Sequence, residues 1–369
     1  MAEPVVLERA SVLCYRLFDV GDRIDLARVE KQLVQPGRRL QLTREGSQFV
    51  VLPEPPVTLE LEPRNLKLGE RELRVAVRAR LFDLGAASIV LTLEVPPGMT
   101  LDALVPWVDE LSDSPAVDQL AKDVLLPLRD SLGPAIEAPH LWEQNEGYTV
   151  VFAERIRGNP DAESLMQSEA LPKLMLADGK VDRLSRRERE DAVEQCFSYT
   201  DRDLAVIDWN GAFVFEPSGS RDVPDMLEIV NAQLLELRFY DDVLDGQLQR
   251  TYGALSDRHR SNFMLVWSPY RQLMRQVSLT VLELSELVER VENSLKIVGD
   301  AFLAKVYEGA VKQLRIAPWQ ASVERKQQLL SDTYELLRSE VDTDRIVTLD
   351  VMIVVLILVE IVLALFIGR

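Results

Sequence analysis

The chain has 369 residues, with 42 Lys and Arg against 60 Asp and Glu, a formal net charge of −18, and an apolar share of 47%. That apolar share is too high for a disordered chain, and the length allows two or three structural units at about 150 residues each. The acidic balance repels phosphate backbones and makes nucleic acid an unexpected partner, while two cysteines, Cys14 and Cys196, cannot supply a disulfide framework or a Cys-based zinc site.

Residues 1–100 read as a β-rich N-terminal region. The first residues lack a basic stretch followed by an uninterrupted apolar core, so no secretory signal is expected. Residues 11–18 form an apolar run of β formers, and 24–33 carry helical spacing through Leu26, Val29 and Leu33. Glu45-Gly46 lies between two short apolar runs and signals a hairpin. Residues 73–81 alternate, with Val75, Val77 and Ala79 on one face and Arg74, Arg78 and Arg80 on the outward one. Residues 89–95 alternate again before the Pro96-Pro97-Gly98 stop. Within this region Arg16-Leu17-Phe18-Asp19-Val20-Gly21 is echoed by Arg80-Leu81-Phe82-Asp83-Leu84-Gly85. Each reads as a strand that buries Leu-Phe and turns at Asp and Gly, by duplication or by chance.

Residues 101–222 read as a mixed α/β region. Thr100 or Asp102 caps a helix through Leu111, and Ser114-Pro115 opens another that runs to Leu132. Pro134 and Pro139 mark a linker, 147–156 a strand, and 162–176 and 186–196 helical stretches. Asn210-Gly211 splits two apolar runs in a type I′ hairpin pattern, and the neighbouring Trp209 is expected to pack on the helix that begins near Met226.

Residues 223–345 read as a helical stalk. Met226, Val230, Leu234, Leu237, Leu244 and Leu248 share one helix face, which ends near Gly253. Val277, Val281, Leu284, Val288, Val291 and Leu295 then alternate in steps of four and three, an a/d seam that pairs either within the chain or between subunits. Gly299-Asp300 interrupts it, and a last helix from about Trp319 places Val323, Leu330, Tyr334, Leu337 and Val341 on one face. Residues 346–367 hold only Asp350 and Glu360 as charges. They are long enough to cross the ~30 Å core that needs about 20 helical residues, so a transmembrane helix is expected there. Arg325, Lys326, Arg338 and Arg345 precede the span and Arg369 follows it. The expectation is therefore a tail-anchored protein in the cytoplasmic (inner) membrane with its bulk facing the cytoplasm. Glu360 would be an intramembrane carboxyl, read as a helix–helix contact in an oligomer in preference to a proton or ion site.

Three stretches carry a family resemblance. They are Asp203-Leu204-Ala205-Val206-Ile207-Asp208-Trp209-Asn210, then Asn231-Ala232-Gln233-Leu234-Leu235-Glu236-Leu237-Arg238-Phe239-Tyr240-Asp241, then Leu295-Lys296-Ile297-Val298-Gly299-Asp300. With the apolar span and Glu360 after them, the order resembles the Rmd-type family, required for meiotic nuclear division, over about 200–369. The resemblance implies a membrane-anchored, oligomer-forming protein with no catalytic residues to carry over. Mitochondrial members support translation of organelle-encoded subunits; the lack of a transit peptide here points instead to a bacterial-type member.

Phosphate-loop, dinucleotide-turn, nucleophile-elbow and C-x-x-C patterns are absent from the sequence. Glu137-Ala138-Pro139-His140 has the spacing of a di-metal motif, but Pro139 prevents the helix that would align the two side chains. The acids Glu228, Glu236, Asp241, Asp242 and Asp245 could bridge a hard cation, yet Arg238 among them favours ion pairing. Asn231, Glu236, Arg238 and Asp241 are accordingly read as a structural polar cluster that orients helices. The sequence thus predicts an α+β protein with a coiled-coil-like stalk and one C-terminal transmembrane helix. It reads as a non-enzymatic scaffold or assembly factor that self-associates, with membrane lipid, a homo-oligomer and an unidentified protein as partners and no cofactor or metal. The alternatives are a metal-dependent hydrolase using Glu236, Asp241 and Asp245, or a ligand-sensing membrane subunit.

Overall fold

Strand β1, Leu7–Asp19, is buried on both faces along almost its whole length, the pattern of a strand covered by helices on each side. The computed structural model describes residues 4–32, 37–40, 50–51, 53–69, 71–176, 185–257, 278, 296–297 and 300–367. The chain divides into two compact units, Met1–Phe239 with Arg290–Trp319, and Tyr240–Glu289 with Gln320–Arg369.

In the first unit, β2 (Arg23–Ile24) and α1 (Leu26–Gln32) follow β1, then β3 (Arg38–Arg39), β4 (Val50–Val51), β5 (Val57–Leu68), β6 (Arg71–Leu81) and β7 (Ala86–Glu94). Helices α2 (Leu101–Ser112) and α3 (Pro115–Leu132) lead to β8 (Ile136–Glu137) and β9 (Glu146–Ile156). Short helices α4 (Ala162–Met166), α5 (Ala170–Leu176) and α6 (Arg186–Asp191) precede β10 (Cys196–Phe197), β11 (Leu204–Ile207) and β12 (Gly211–Phe215). Helix α7, Asp222–Asp257, continues into the second unit; β13 (Lys296–Ile297) and α8 (Ala301–Gln313) return to the first, and α9 runs over Ile316–Ile367.

Among the described residues one nine-stranded sheet has the order β10-β11-β12-β9-β1-β7-β6-β5-β3. Among the described residues only β9 and β12 pair in parallel. The protein is therefore α+β, with a large sheet in its N-terminal part and helices after it. The sheet crosses the expected boundary at residue 100, because β1 pairs with β7 on one side and with β9 on the other. Val12, Cys14, Phe18, Val77, Ala79, Ile89 and Val151 belong to the core that α2, α3 and α5 cover. The alternate residues face α7: the Tyr15 hydroxyl donates to the Pro224 carbonyl at 3.2 Å.

Several local signals act as their chemistry dictates. The Thr100 side chain caps α2 by accepting from the Ala103 amide, Pro115 opens α3, and β11 and β12 pair as a hairpin. Its turn, however, is Trp209-Asn210, closed by Asp208 N donating to the Gly211 carbonyl at 2.8 Å. Neither Asn210 nor Gly211 has the positive φ of the expected type I′ turn. Other expectations are corrected. Strand β5 is absent from the sequence reading because Pro63 interrupts its pattern; the chain tolerates it at a register shift between Leu61 and Arg64. Residues 162–176 form two short helices, and the linker near Pro139 contains β8, which pairs with β2. Helix α7 passes through Gly253 to Asp257. The Arg face of β6 is not outward at its C-terminal end: Arg80 is 1% exposed, beneath α7. The hairpin expected at Glu45-Gly46 lies outside the described residues.

Candidate functional site

Helix α9 is continuous for 52 residues, so the last predicted helix and the predicted span are one element that starts at Ile316. Among the described residues no helix is long and apolar enough to cross a membrane. Within 346–367 the side chains described are those of 352–361 and Leu363, and every one of them is exposed. Their apolar members are 49–66% exposed. Successive helical residues are turned by ~100°, so this run presents apolar groups around the whole circumference, with Glu360 the single charge among them.

The polar residues singled out on α7 turn to different partners. Asn231 is buried and donates from Nδ2 to the Leu227 carbonyl of its own helix at 2.8 Å. Glu236 is buried on the same helix. Arg238 pairs with Glu146, donates to Gln144 Oε1 at 3.2 Å and lies 5.8 Å from the centre of the Trp319 ring. Burial pushes the Glu146 carboxyl above its ordinary pKa, and Arg238 opposes that. In the second unit Asp241 accepts from the Ser322 hydroxyl at 2.8 Å, and Lys326 Nζ lies 2.9 Å from Asp241 and 2.6 Å from Asp245. Burial works against the Lys326 charge, but the two carboxylates outweigh it and hold its pKa up. A cation already sits between the carboxylates that a metal would need. Among the described residues no group of three or more His, Cys, Asp or Glu side chains is placed to hold a metal ion. The seam residues Val277, Val281, Leu284, Val288, Val291 and Leu295 lie outside the described residues.

The echoed motif supplies two buried arginines. Arg80 Nη1 lies 2.6 Å from Glu228 Oε2 and Nη2 3.0 Å from Asp225 Oδ1, both on α7, while Nε donates to Thr58 Oγ1 at 3.2 Å. Arg78 adds a second cation, 3.4 Å from Glu228. Burial works against the Arg80 charge, but Glu228 and Asp225 outweigh it and raise its pKa. Arg16 instead pairs with Asp118 of α3 and donates to the Leu111 and Ser112 carbonyls at 3.2 and 2.7 Å, capping the C-terminal end of α2. Ser88 of β7 stands opposite both Leu17 and Arg80, so the two copies are out of step by one residue and their arginines point to opposite faces. Their turns meet: Gly85 has φ +110°, and a Cβ there would lie 2.0 Å from the Gly21 carbonyl oxygen.

A third cluster was not legible in the sequence. His140 lies in the segment read as a linker, and its Nε2 stands 2.9 Å from Oδ1 of Asp19, a carboxylate buried at the end of β1. Its Nδ1 faces the Ala138 carbonyl at 3.0 Å and Asp22 Oδ1 at 3.7 Å. The ring stacks on Phe239 of α7, centroids 4.8 Å apart, and Trp142 meets Phe239 edge-on at 5.8 Å. Glu137 is exposed on β8, so the Glu-x-x-His spacing brings no shared ligand site. Trp209 also departs from expectation: it is 66% exposed, as a central residue of the turn between β11 and β12.

Residues 9–221 match the family described as "Uncharacterized protein MJ0711, N-terminal domain". The chain is similar to the uncharacterized protein MJ0711 of Methanocaldococcus jannaschii, 29% identical over 168 residues, which cover 45% of this chain and 50% of that protein. It thus spans about half the length of the curated relative it matches. No solved structure matches. The Rmd-type resemblance is not supported by any of these matches; it rested on three short stretches and an apolar run after residue 200. Of these, 203–210 holds β11, 231–241 lies in α7 and 295–300 holds β13, and short apolar patterns of this kind recur among unrelated proteins.

Proposed function

The chain belongs to the MJ0711 N-terminal domain family, and from that premise we propose that it is a non-enzymatic, membrane-anchored scaffold. In this reading the sheet unit is the working platform, α9 is the anchor, and the helical stalk brings copies together. The observation that carries it is the exposed apolar girdle of α9 between Met352 and Leu363. Apolar side chains exposed on every face of a helix are costly in water and favourable in hydrocarbon, and contiguous apolar surface of this kind marks a lipid or protein contact. Arg325, Arg338 and Arg345 before the apolar stretch favour a cytoplasmic position for the preceding residues.

Deletion of residues 350–369 tests the anchor. The truncated chain is expected in the soluble fraction after membranes are sedimented, with the full chain in the pellet and released only by detergent. A truncated chain that still sediments with membranes, or a full chain soluble without detergent, would overturn the reading.

A further inference from the structure

His140 joins the end of β1 to α7 within the first unit. The segment that carries it is pinned to the end of β1 by two backbone bonds, His140 N to the Val20 carbonyl at 3.0 Å and Trp142 N to the Asp19 carbonyl at 3.2 Å. The same segment meets α7 through the His140–Phe239 stack and the Trp142 edge contact. Both ring nitrogens face oxygen acceptors, the Asp19 carboxylate on one side and the Ala138 carbonyl on the other. An imidazole carries N–H on one nitrogen only, so a neutral ring leaves a lone pair against an acceptor. The imidazolium donates from Nδ1 to the Ala138 carbonyl, sets its charge 2.9 Å from the Asp19 carboxylate as an ion pair without hydrogen-bond alignment, and gains from lying over Phe239. Asp19 is buried, and its Oδ2 has no hydrogen-bond partner among the described residues, so loss of the His140 charge leaves a carboxylate with little compensation.

We propose that His140, Asp19 and Phe239 form a proton-operated clamp that fastens the 138–142 segment to β1 and α7 and loosens when His140 is neutral. The charged groups facing the ring among the described residues are Asp19 from β1 and Asp22 from the turn after it. From α7 it meets uncharged Phe239, with the adjacent Arg238 engaged by Glu146 and Gln144; on β8, Glu137 is exposed. Burial works against the His140 charge, but Asp19, the Ala138 carbonyl and Asp22 outweigh it and hold its pKa above 6.5. A histidine raised on folding contributes stability that is fully present below its unfolded pKa and is lost as pH rises through the folded value.

The test uses the full chain in detergent. His140 and His259 are the two histidines, so ring-proton NMR with His259→Gln assigns the His140 signal. Hydrogen exchange of the His140 and Trp142 amides is followed in parallel and corrected for the intrinsic dependence on hydroxide. A midpoint above 6.5 is expected, with exchange of both amides several-fold faster above that midpoint than below it, and no such step in His140→Gln. A midpoint at or below 6.5, or equal protection on both sides of it in the wild-type chain, would overturn the clamp, and neither result depends on the variant folding. A step that persists in His140→Gln would assign the switch to another group and equally refute it.

Discussion

A guanidinium in an apolar layer needs acceptors for its donors, and Arg80 finds them on α7 in Asp225 and Glu228. Replacing it with Met should cost about 3–5 kcal/mol in denaturant unfolding, because two carboxylates are left under the sheet without their cation. Pairing Arg80→Met with Glu228→Leu should recover part of that loss, since one of the stranded charges goes with it. A single-variant loss below about 1 kcal/mol would mean that Arg78 alone can hold the acids. The motif around Arg16 and Arg80 was plain in the sequence, and so was the alternation of β6. Which layer each arginine would enter was not, because that follows from the pairing of Ser88 with both Leu17 and Arg80.

Helix α8 begins at Asp300, whose Oδ1 accepts from the Phe302 and Leu303 amides at 3.0 and 2.9 Å. Asp300→Ala removes both bonds and should lower stability by about 1 kcal/mol, with Asp300→Asn close to wild type, as read by chemical denaturation. An alanine variant as stable as the asparagine one would show that the cap contributes nothing. Elements announced by such neighbouring-residue chemistry were legible: the Thr100 cap, Pro115 at the start of α3, and the presence of a hairpin before β12, though not its turn, which is Trp209-Asn210. Elements defined by distant partners were not. Strand β5 keeps its place because β6 pairs with it across a Pro63 bulge, and the His140 segment docks onto a strand more than a hundred residues earlier in the chain. The exposure of Trp209 has a related cause, since a turn residue's environment is set by where the hairpin points.

At the scale of the whole molecule, the sheet gathers residues from both of the regions that composition had separated, while the helices after it carry the membrane and self-association reading. The stalk seam predicts that Leu284→Asp with Leu295→Asp lowers the mass of the detergent-solubilised chain by light scattering, since an a/d seam does not accept charge. An unchanged mass would remove the seam from assembly. The out-of-step arginines have a consequence of their own. One motif, read twice with a slip of one position, bolts the sheet to a helical layer on each side. Peeling α7 away would part Arg80 from Asp225 and Glu228, and peeling α2 and α3 away would part Arg16 from Asp118 and the Leu111 and Ser112 carbonyls. A one-residue slip of β6 against β7 would unfasten α7 and turn Arg80 to the side that Arg16 already occupies.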